Sequence, residues 1–164
     1  MRKVPDHLGR GMIIRLATND DLPAIQAELP HFLKELQPFG SLVACDDVNV
    51  NLLLFVVRQA IDRGDPVVVA ERDGQIVGFC LWTQLDTPLR YDRKVLHGLG
   101  TFVVPAFRKQ GISDLIRSLA EGIARDKGYE SILGSVHPSN VAGVASLEGH
   151  GWKTVHCVVV KDLR

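Results

Sequence analysis

Six consecutive residues, Arg108-Lys109-Gln110-Gly111-Ile112-Ser113, put two cations, a glycine and a small hydroxyl where the hydrophobic pattern changes period. Before them, Leu99 to Val104 is an apolar, β-branched run of strand length. Pro105 closes it, since proline cannot donate to a sheet ladder. After them, Leu115, Ile116, Leu119, Ala120 and Ile123 recur at three- and four-residue spacing, which predicts a helix from Ser113 that Gly128 ends. A strand feeding a cationic loop into a helix N-terminus is suited to hold an anion. The first helical N–H groups have no intrahelical partner, and the helix dipole adds partial positive charge beside them. Gly111 lets a ligand approach the backbone with no Cβ in the way, and Arg108 can grip a phosphate through two parallel hydrogen bonds. The ligand these residues point to is a diphosphate, with its identity left open. A solvated basic turn is the plain alternative, and the order of the flanking elements weighs against it.

The rest of the chain has to place this loop. Its 164 residues suffice for one domain with a real core, and we read residues 1–11 as a loose leader and 12–164 as that single domain. Nineteen basic and nineteen acidic residues cancel, so there is no electrostatic case for nucleic acid or an anionic membrane as partner. Cys45, Cys80 and Cys157 are odd in number and far apart, which fits a reducing cytosol. No His-Glu-x-x-His or paired-cysteine spacing suggests a metal, and neither a Walker loop nor a Gly-x-Gly-x-x-Gly follows a strand. The longest apolar run, Leu52 to Val57, is too short to span a bilayer, and no secretion signal is visible, so the expected location is cytoplasmic.

Periodicity and punctuation predict ten elements. Met12 to Leu16 reads as a strand, and Thr18 with Asp21 starts a helix reaching about Leu29, where Pro30 breaks or kinks it before a second stretch through Leu36. Gln37 to Ala44 is a loop. Asp46 or Asp47 caps the next helix, with a buried stripe of Val50, Leu53, Leu54, Val57, Ala60 and Ile61 and a stop at Gly64. Pro66 to Glu71 and Gln75 to Leu85 are strands joined by the hairpin signal Asp73-Gly74, followed by a charged loop, Asp86 to Lys94. Beyond the opening strand and helix come a strand from Tyr129 to Val136, a short helix from Pro138-Ser139-Asn140 to about Leu147, and a last strand from Trp152 to Val160. The order is β-α-α-β-β-β-α-β-α-β.

The loop resembles the coenzyme A loop of the GNAT superfamily of acyl-CoA-dependent N-acyltransferases, which reads Arg/Gln-x-x-Gly-x-Gly/Ala after a strand ending Val-x-Pro. Val103-Val104-Pro105 and Arg108-x-x-Gly111-x-Ser113 stand in those places, with Ser113 the one departure. The element order is also that of the GNAT fold, so the resemblance runs from Met12 onwards. It implies an α/β fold with a mixed, mainly antiparallel sheet flanked by about four helices. It also implies acetyl-CoA as co-substrate, with Arg108, Lys109, Gln110, Gly111, Ile112 and Ser113 at the diphosphate. A bulge in the preceding strand then frees backbone groups of Thr101, Phe102 and Val103 for the pantetheine arm and thioester carbonyl. Gly98 and Gly100 fit such an irregular strand, or equally tight packing.

Acyl transfer further needs the amine deprotonated and the departing thiolate protonated. Some GNAT enzymes place a glutamate or histidine at the point of the strand where His97 stands, to accept the amine proton. An imidazole of ordinary pKa near ~6.5 suits that task, and His97 shares a face with Leu99, Thr101 and Val103 if the alternation is unbroken. A solvent-facing or capping histidine is the equal alternative. The second family signature is Asn-x-x-Ala-x-x-Leu-Tyr-x-x-x-Gly-Phe; Asn140, Gly151 and Trp152 match its ends, while Ser146 falls on the leucine and Leu147 on the tyrosine that normally protonates the thiolate. Ser146, His150 or a water can substitute, or no acid is needed. Asn140 either bonds the pantetheine chain or caps a helix. The reading is an N-acetyltransferase that moves an acetyl group to an amine of a small molecule or peptide in a ternary complex. Its rival is a non-catalytic acyl-CoA-binding or protein-interaction module. A homodimer stays open.

Overall fold

The computed structural model describes residues 11–39, 45–84 and 94–155. Its strands are β1 (Met12–Leu16), β2 (Val67–Arg72), β3 (Gln75–Thr83), β4 (Val95–Val103) and β5 (Ser131–Gly134), and its helices are α1 (Leu22–Leu36), α2 (Asp47–Asp62), α3 (Ile112–Asp126) and α4 (Val141–Gly149). The strands lie in the order β1-β2-β3-β4-β5. The first three pairings are antiparallel and β4–β5 is parallel, so the described residues form the expected mixed, mainly antiparallel sheet with four α-helices.

Both faces of the sheet are covered, which is why β2 opens on an unbroken apolar run, Val67 to Ala70, instead of alternating. On one face Ile25, Leu29, Phe32 and Leu33 of α1 and Val57 of α2 pack on Val67, Val69, Phe79, Leu81 and Phe102. On the other, Ile112, Ile116 and Ala120 of α3 pack on Val68, Ala70, Val77, Cys80 and Val103. Asp73 (φ 51°) and Gly74 (φ 82°) both take the left-handed conformation at the hairpin tip, matching the twist of β2 and β3. Asp46 caps α2, accepting from Asn49 N at 2.8 Å, and Gly64 (φ 68°) ends it.

Several boundaries differ from the sequence reading, among them the start of β4, at Val95 and not Leu99. Pro30 does not break the helix: α1 runs from Leu22 to Leu36 through it. Pro30 is exposed while Leu29, Phe32 and Leu33 are buried, so the carbonyl left without its N–H partner faces solvent and the apolar face holds the helix together. Strand β5 is shorter than Tyr129 to Val136, because Tyr129 N is spent closing α3 on Ala124 O and pairing with β4 ends at Gly134. Helix α4 runs two residues past Leu147, to Gly149. Of the expected last strand, Trp152 to Val155 carry no regular structure, and the rest lies outside the described residues, as do 1–10, 40–44 and 85–93. Among the described residues no helix is long and apolar enough to cross a membrane.

Candidate active site

The loop between β4 and α3 presents backbone donors. Lys109 (φ 61°) and Gly111 (φ 77°) are left-handed and Gln110 between them is not, an alternation that turns successive N–H groups to one concave side. Among the described residues, the amides from Lys109 to Ser113 make no backbone hydrogen bond; the first to do so are Asp114 N and Leu115 N, both to Gly111 O at 3.2 Å. Gly111 is the N-cap of α3, and a Cβ there would meet nothing within 4 Å, so the backbone is open from that side. The loop borders a cleft of about 530 Å³. Its other walls are Thr101, Phe102 and Val103 of β4, Asp114 of α3, Ser146 of α4 with His150 at that helix's C-cap, and Glu35 of α1.

Strand β4 parts from β5 beside this cleft. The parallel ladder stops at Gly98–Gly134, and in the same place β4 carries an extra residue against β3: Trp82 pairs with Gly98 and Leu81 with Gly100, leaving Leu99 unopposed. Close packing also requires the two glycines. A Cβ on Gly98 would stand 3.2 Å from Trp82 Nε1, and one on Gly100 2.3 Å from Phe32 Cζ. Beyond the bulge, Val104 N donates to Val77 O at 3.0 Å. By the alternation of an antiparallel ladder, Phe102 then turns its backbone to β3, while Thr101 and Val103 turn theirs to the open edge. Phe102 lines the cleft, Thr101 contributes a free-edge amide and carbonyl, and Val103 a free-edge amide.

The bulge also decides where His97 lies. It stands opposite Thr83, in line with Phe79 and Leu81, on the face covered by α1 and α2. Leu99 packs on that same face, whereas Val103 belongs to the α3 face. The alternation is therefore broken, and His97 does not share a face with Thr101 and Val103. It is not part of the cleft wall.

Arg108 does not extend over the loop. Its Nε donates to Val103 O at 2.8 Å, its Nη2 pairs with Glu35 Oε1, and its Cζ sits 5.6 Å from the centroid of the Phe102 ring. On the opposite wall, Ser146 Oγ accepts from Arg117 Nη2 at 3.1 Å. That buried guanidinium also donates to Asp114 Oδ1 at 2.7 Å, and its Nε has no partner. His150 places Nδ1 2.6 Å from Ser146 O and Nε2 3.4 Å from Asp114 Oδ1. Asn140 caps α4, accepting from Gly143 N at 3.0 Å, and neither it nor Gln110 lines the cleft. Cys80, fully buried on β3, has its thiol pushed up to about 12 by burial and accepts from the Thr101 hydroxyl at 3.4 Å.

Sequence reasoning missed Glu35, Asp114 and Arg117. Arg117 left a trace: it stands three and seven residues before the buried Ala120 and Ala124, so a charge falls on the inward stripe of α3. Glu35 left none, since an acidic residue in the last turn of an amphipathic helix reads as solvated.

Two β-strands splayed beside a helix N-terminus whose amides are unspent form a groove for an extended ligand with an anionic end. The sequence profile described as the Acetyltransferase (GNAT) family matches residues 31–152, and the chain belongs to that family. As such it is an acyl-CoA-dependent N-acetyltransferase. Among curated proteins the sequence finds no match. Solved structures do resemble it. The aminoglycoside N-acetyltransferase AAC(6')-Iy in complex with the bisubstrate analogue CoA-S-monomethyl-acetylneamine superposes with a TM-score of 0.67 at 20% identity, covering 93% of this chain and 98% of that one. A possible acetyltransferase from Clostridium difficile 630 gives 0.68 at 17% identity, covering 93% and 97%. A ribosomal-protein-alanine N-acetyltransferase from Brucella melitensis biovar Abortus 2308 gives 0.66 at 15% identity, covering 94% and 100%.

Proposed function

We propose that this chain moves an acetyl group from acetyl-CoA to a primary amine by direct attack within a ternary complex. The coincidence of the unspent amides of Lys109, Gly111, Ile112 and Ser113 with the free edge of β4 in one cleft carries the reading. The amides and the α3 dipole take the diphosphate. Thr101 and Val103 pair with the amide groups of the pantetheine arm, as a strand would, and orient the thioester. The nitrogen of the neutral amine attacks the carbonyl carbon, the C–S bond breaks, and the sulfur leaves as thiolate. The proton that the nitrogen sheds replaces the one the Ser146 hydroxyl gives to the sulfur. Ser146 is the donor to that sulfur: Arg117 occupies a lone pair of its oxygen and leaves the O–H to point into the cleft. His97 is given no part. Because of the bulge, its ladder partner Thr83 is three residues from Cys80, the partner of Thr101. His97 therefore stands about 10 Å from Thr101 and on the opposite face, beyond proton-transfer reach of a thioester held there.

Acceptors named for two of the similar structures, an aminoglycoside analogue and a ribosomal-protein alanine, are both amines, which supports an amine here. Leu147 at the tyrosine place favours a second reading, a module that binds acyl-CoA without turnover. Calorimetry with acetyl-CoA, followed by thiol release across a panel of primary amines, separates the two. Heat of binding with amine-dependent thiol release is expected. Heat without release supports the module, and no heat at millimolar acetyl-CoA overturns both.

A further inference from the structure

One cation lining the cleft, Arg108, is already held by an anion of the protein. Arg108 pairs with Glu35, the one residue of α1 in the cleft wall among the described residues, and lies beside the amides assigned to the diphosphate. Glu35 follows Phe32 by three residues, so the two share a face of α1. Phe32 fills the space above Gly100, which puts the Glu35 carboxylate one helical turn from the bulge where β4 leaves β5. The pair is accessible, with 40% of the Arg108 side chain and 45% of the Glu35 side chain exposed.

A diphosphate carries more charge than a carboxylate and offers several oxygens to the guanidinium fork, so it competes for Arg108. Once Arg108 turns to the phosphates, Glu35 is an unpaired carboxylate beside the thioester, in a cleft that the pantetheine arm has partly emptied of water. Such a carboxylate, open to solvent at the cleft mouth, attracts a cation. An amine arriving at neutral pH is one. We propose that Glu35 is the specificity-determining residue for the acceptor. Arg108 masks it in the ligand-free protein, cofactor binding uncovers it, and it then holds an ammonium group of the incoming amine. This rests on the acyl-CoA reading above.

The proposal demands effects of opposite sign on the two substrates, which a merely structural role would not produce. Glu35→Gln leaves an exposed position folded but removes the competing anion. Calorimetry is expected to show this variant binding acetyl-CoA several-fold more tightly than the unaltered protein. Acetyl-pantetheine, which lacks the diphosphate, is expected to bind both proteins alike. Linear mono-, di- and triamines titrated into CoA-saturated protein are expected to bind Glu35→Gln at least about tenfold more weakly, the size of one charge-assisted hydrogen bond. Equal acetyl-CoA affinities, equal amine affinities, weakening of both substrates together, or no amine binding by an unaltered protein that does bind CoA would each overturn the assignment of Glu35. Failure of the unaltered protein to bind acetyl-CoA is a different result, and it removes the acyl-CoA reading itself.

Discussion

Gly111 concentrates the chemistry of the loop in one backbone position. Its φ of 77° is open to glycine and costly to other residues, and the space where a Cβ would point is empty protein surface beside unspent amides. Alanine there meets no clash, so folding loses only the left-handed penalty of about 1 kcal/mol, or about 2–4 °C in Tm for a chain of this size. A methyl group would still stand between a diphosphate and the N–H groups that hold it. Gly111→Ala is therefore expected to weaken acetyl-CoA binding by at least about tenfold, the loss of one or two charge-assisted hydrogen bonds, while a thermal melt changes little. Unchanged affinity by calorimetry would show that the amides are not the ligand's grip. The same logic separates Arg108 from its loop. Its Nε and Nη2 are committed to Val103 O and Glu35, so in the ligand-free protein the backbone presents the donors and the guanidinium holds the loop against β4.

At the level of elements, the site depends on β4 leaving β5 while staying paired with β3. The bulge at Leu99 allows this, and Gly100 fixes where it falls, since its missing side chain is the room taken by the Phe32 ring. That ring belongs to an aromatic group with Phe79 and Phe102, at 6.0 and 6.3 Å between centroids, so it has little freedom to retreat. Gly100→Ala is expected to cost about 1–3 kcal/mol by overpacking, read as a lower urea midpoint, and to weaken acetyl-CoA through a displaced β4 edge. A variant as stable as the original would mean that α1 yields and the bulge is set elsewhere. Much of this element was legible beforehand. The period change at Ser113, the stop at Pro105 and the paired glycines gave the strand, the loop and an irregularity before it. The position of the extra residue was not legible, because Gly98 and Gly100 are equivalent in the pattern and only Trp82 and Phe32, distant in sequence, tell them apart. His97 was placed with Thr101 and Val103 for that reason: a single inserted residue inverts the face of everything on its far side. Pro30 was misjudged on local grounds, since the pattern could not show that Leu29, Phe32 and Leu33 would hold the helix across it.

For the molecule as a whole, the candidate site at β4 relies on a sheet whose far edge is closed by charge. Arg15 of β1 donates to both oxygens of Asp21, at 2.7 and 2.8 Å, and to Glu71 of β2 at 2.8 and 3.0 Å. Asp21 is buried and also accepts from Thr18 N at 2.7 Å, so one guanidinium joins the edge strand, its neighbour and the turn that opens α1. The hydrogen bonds from Arg15 hold the Asp21 carboxyl below the usual carboxylate range, against the opposing effect of burial. A depressed native pKa means the unfolded chain takes up the proton first as pH falls. The stability from this pair is thus complete above the unfolded carboxylate value near ~3.9 and is lost as pH drops through the lower native one. Arg15→Met would leave Asp21 buried and unpaired, an expected loss of about 3 kcal/mol at neutral pH in urea unfolding. The gap between the two proteins is expected to be widest near neutral pH and to narrow as pH falls. The buried, unpaired Asp21 of the variant first takes up a proton more readily than its unfolded chain, and protonation then removes the advantage from the unaltered chain. A gap independent of pH would assign the loss to packing of the Arg15 stem and not to its charge. Because β1 lies three strands from β4, the Kd of the folded variant for acetyl-CoA is expected to stay within about twofold of the original, so stability and binding separate in one pair of measurements.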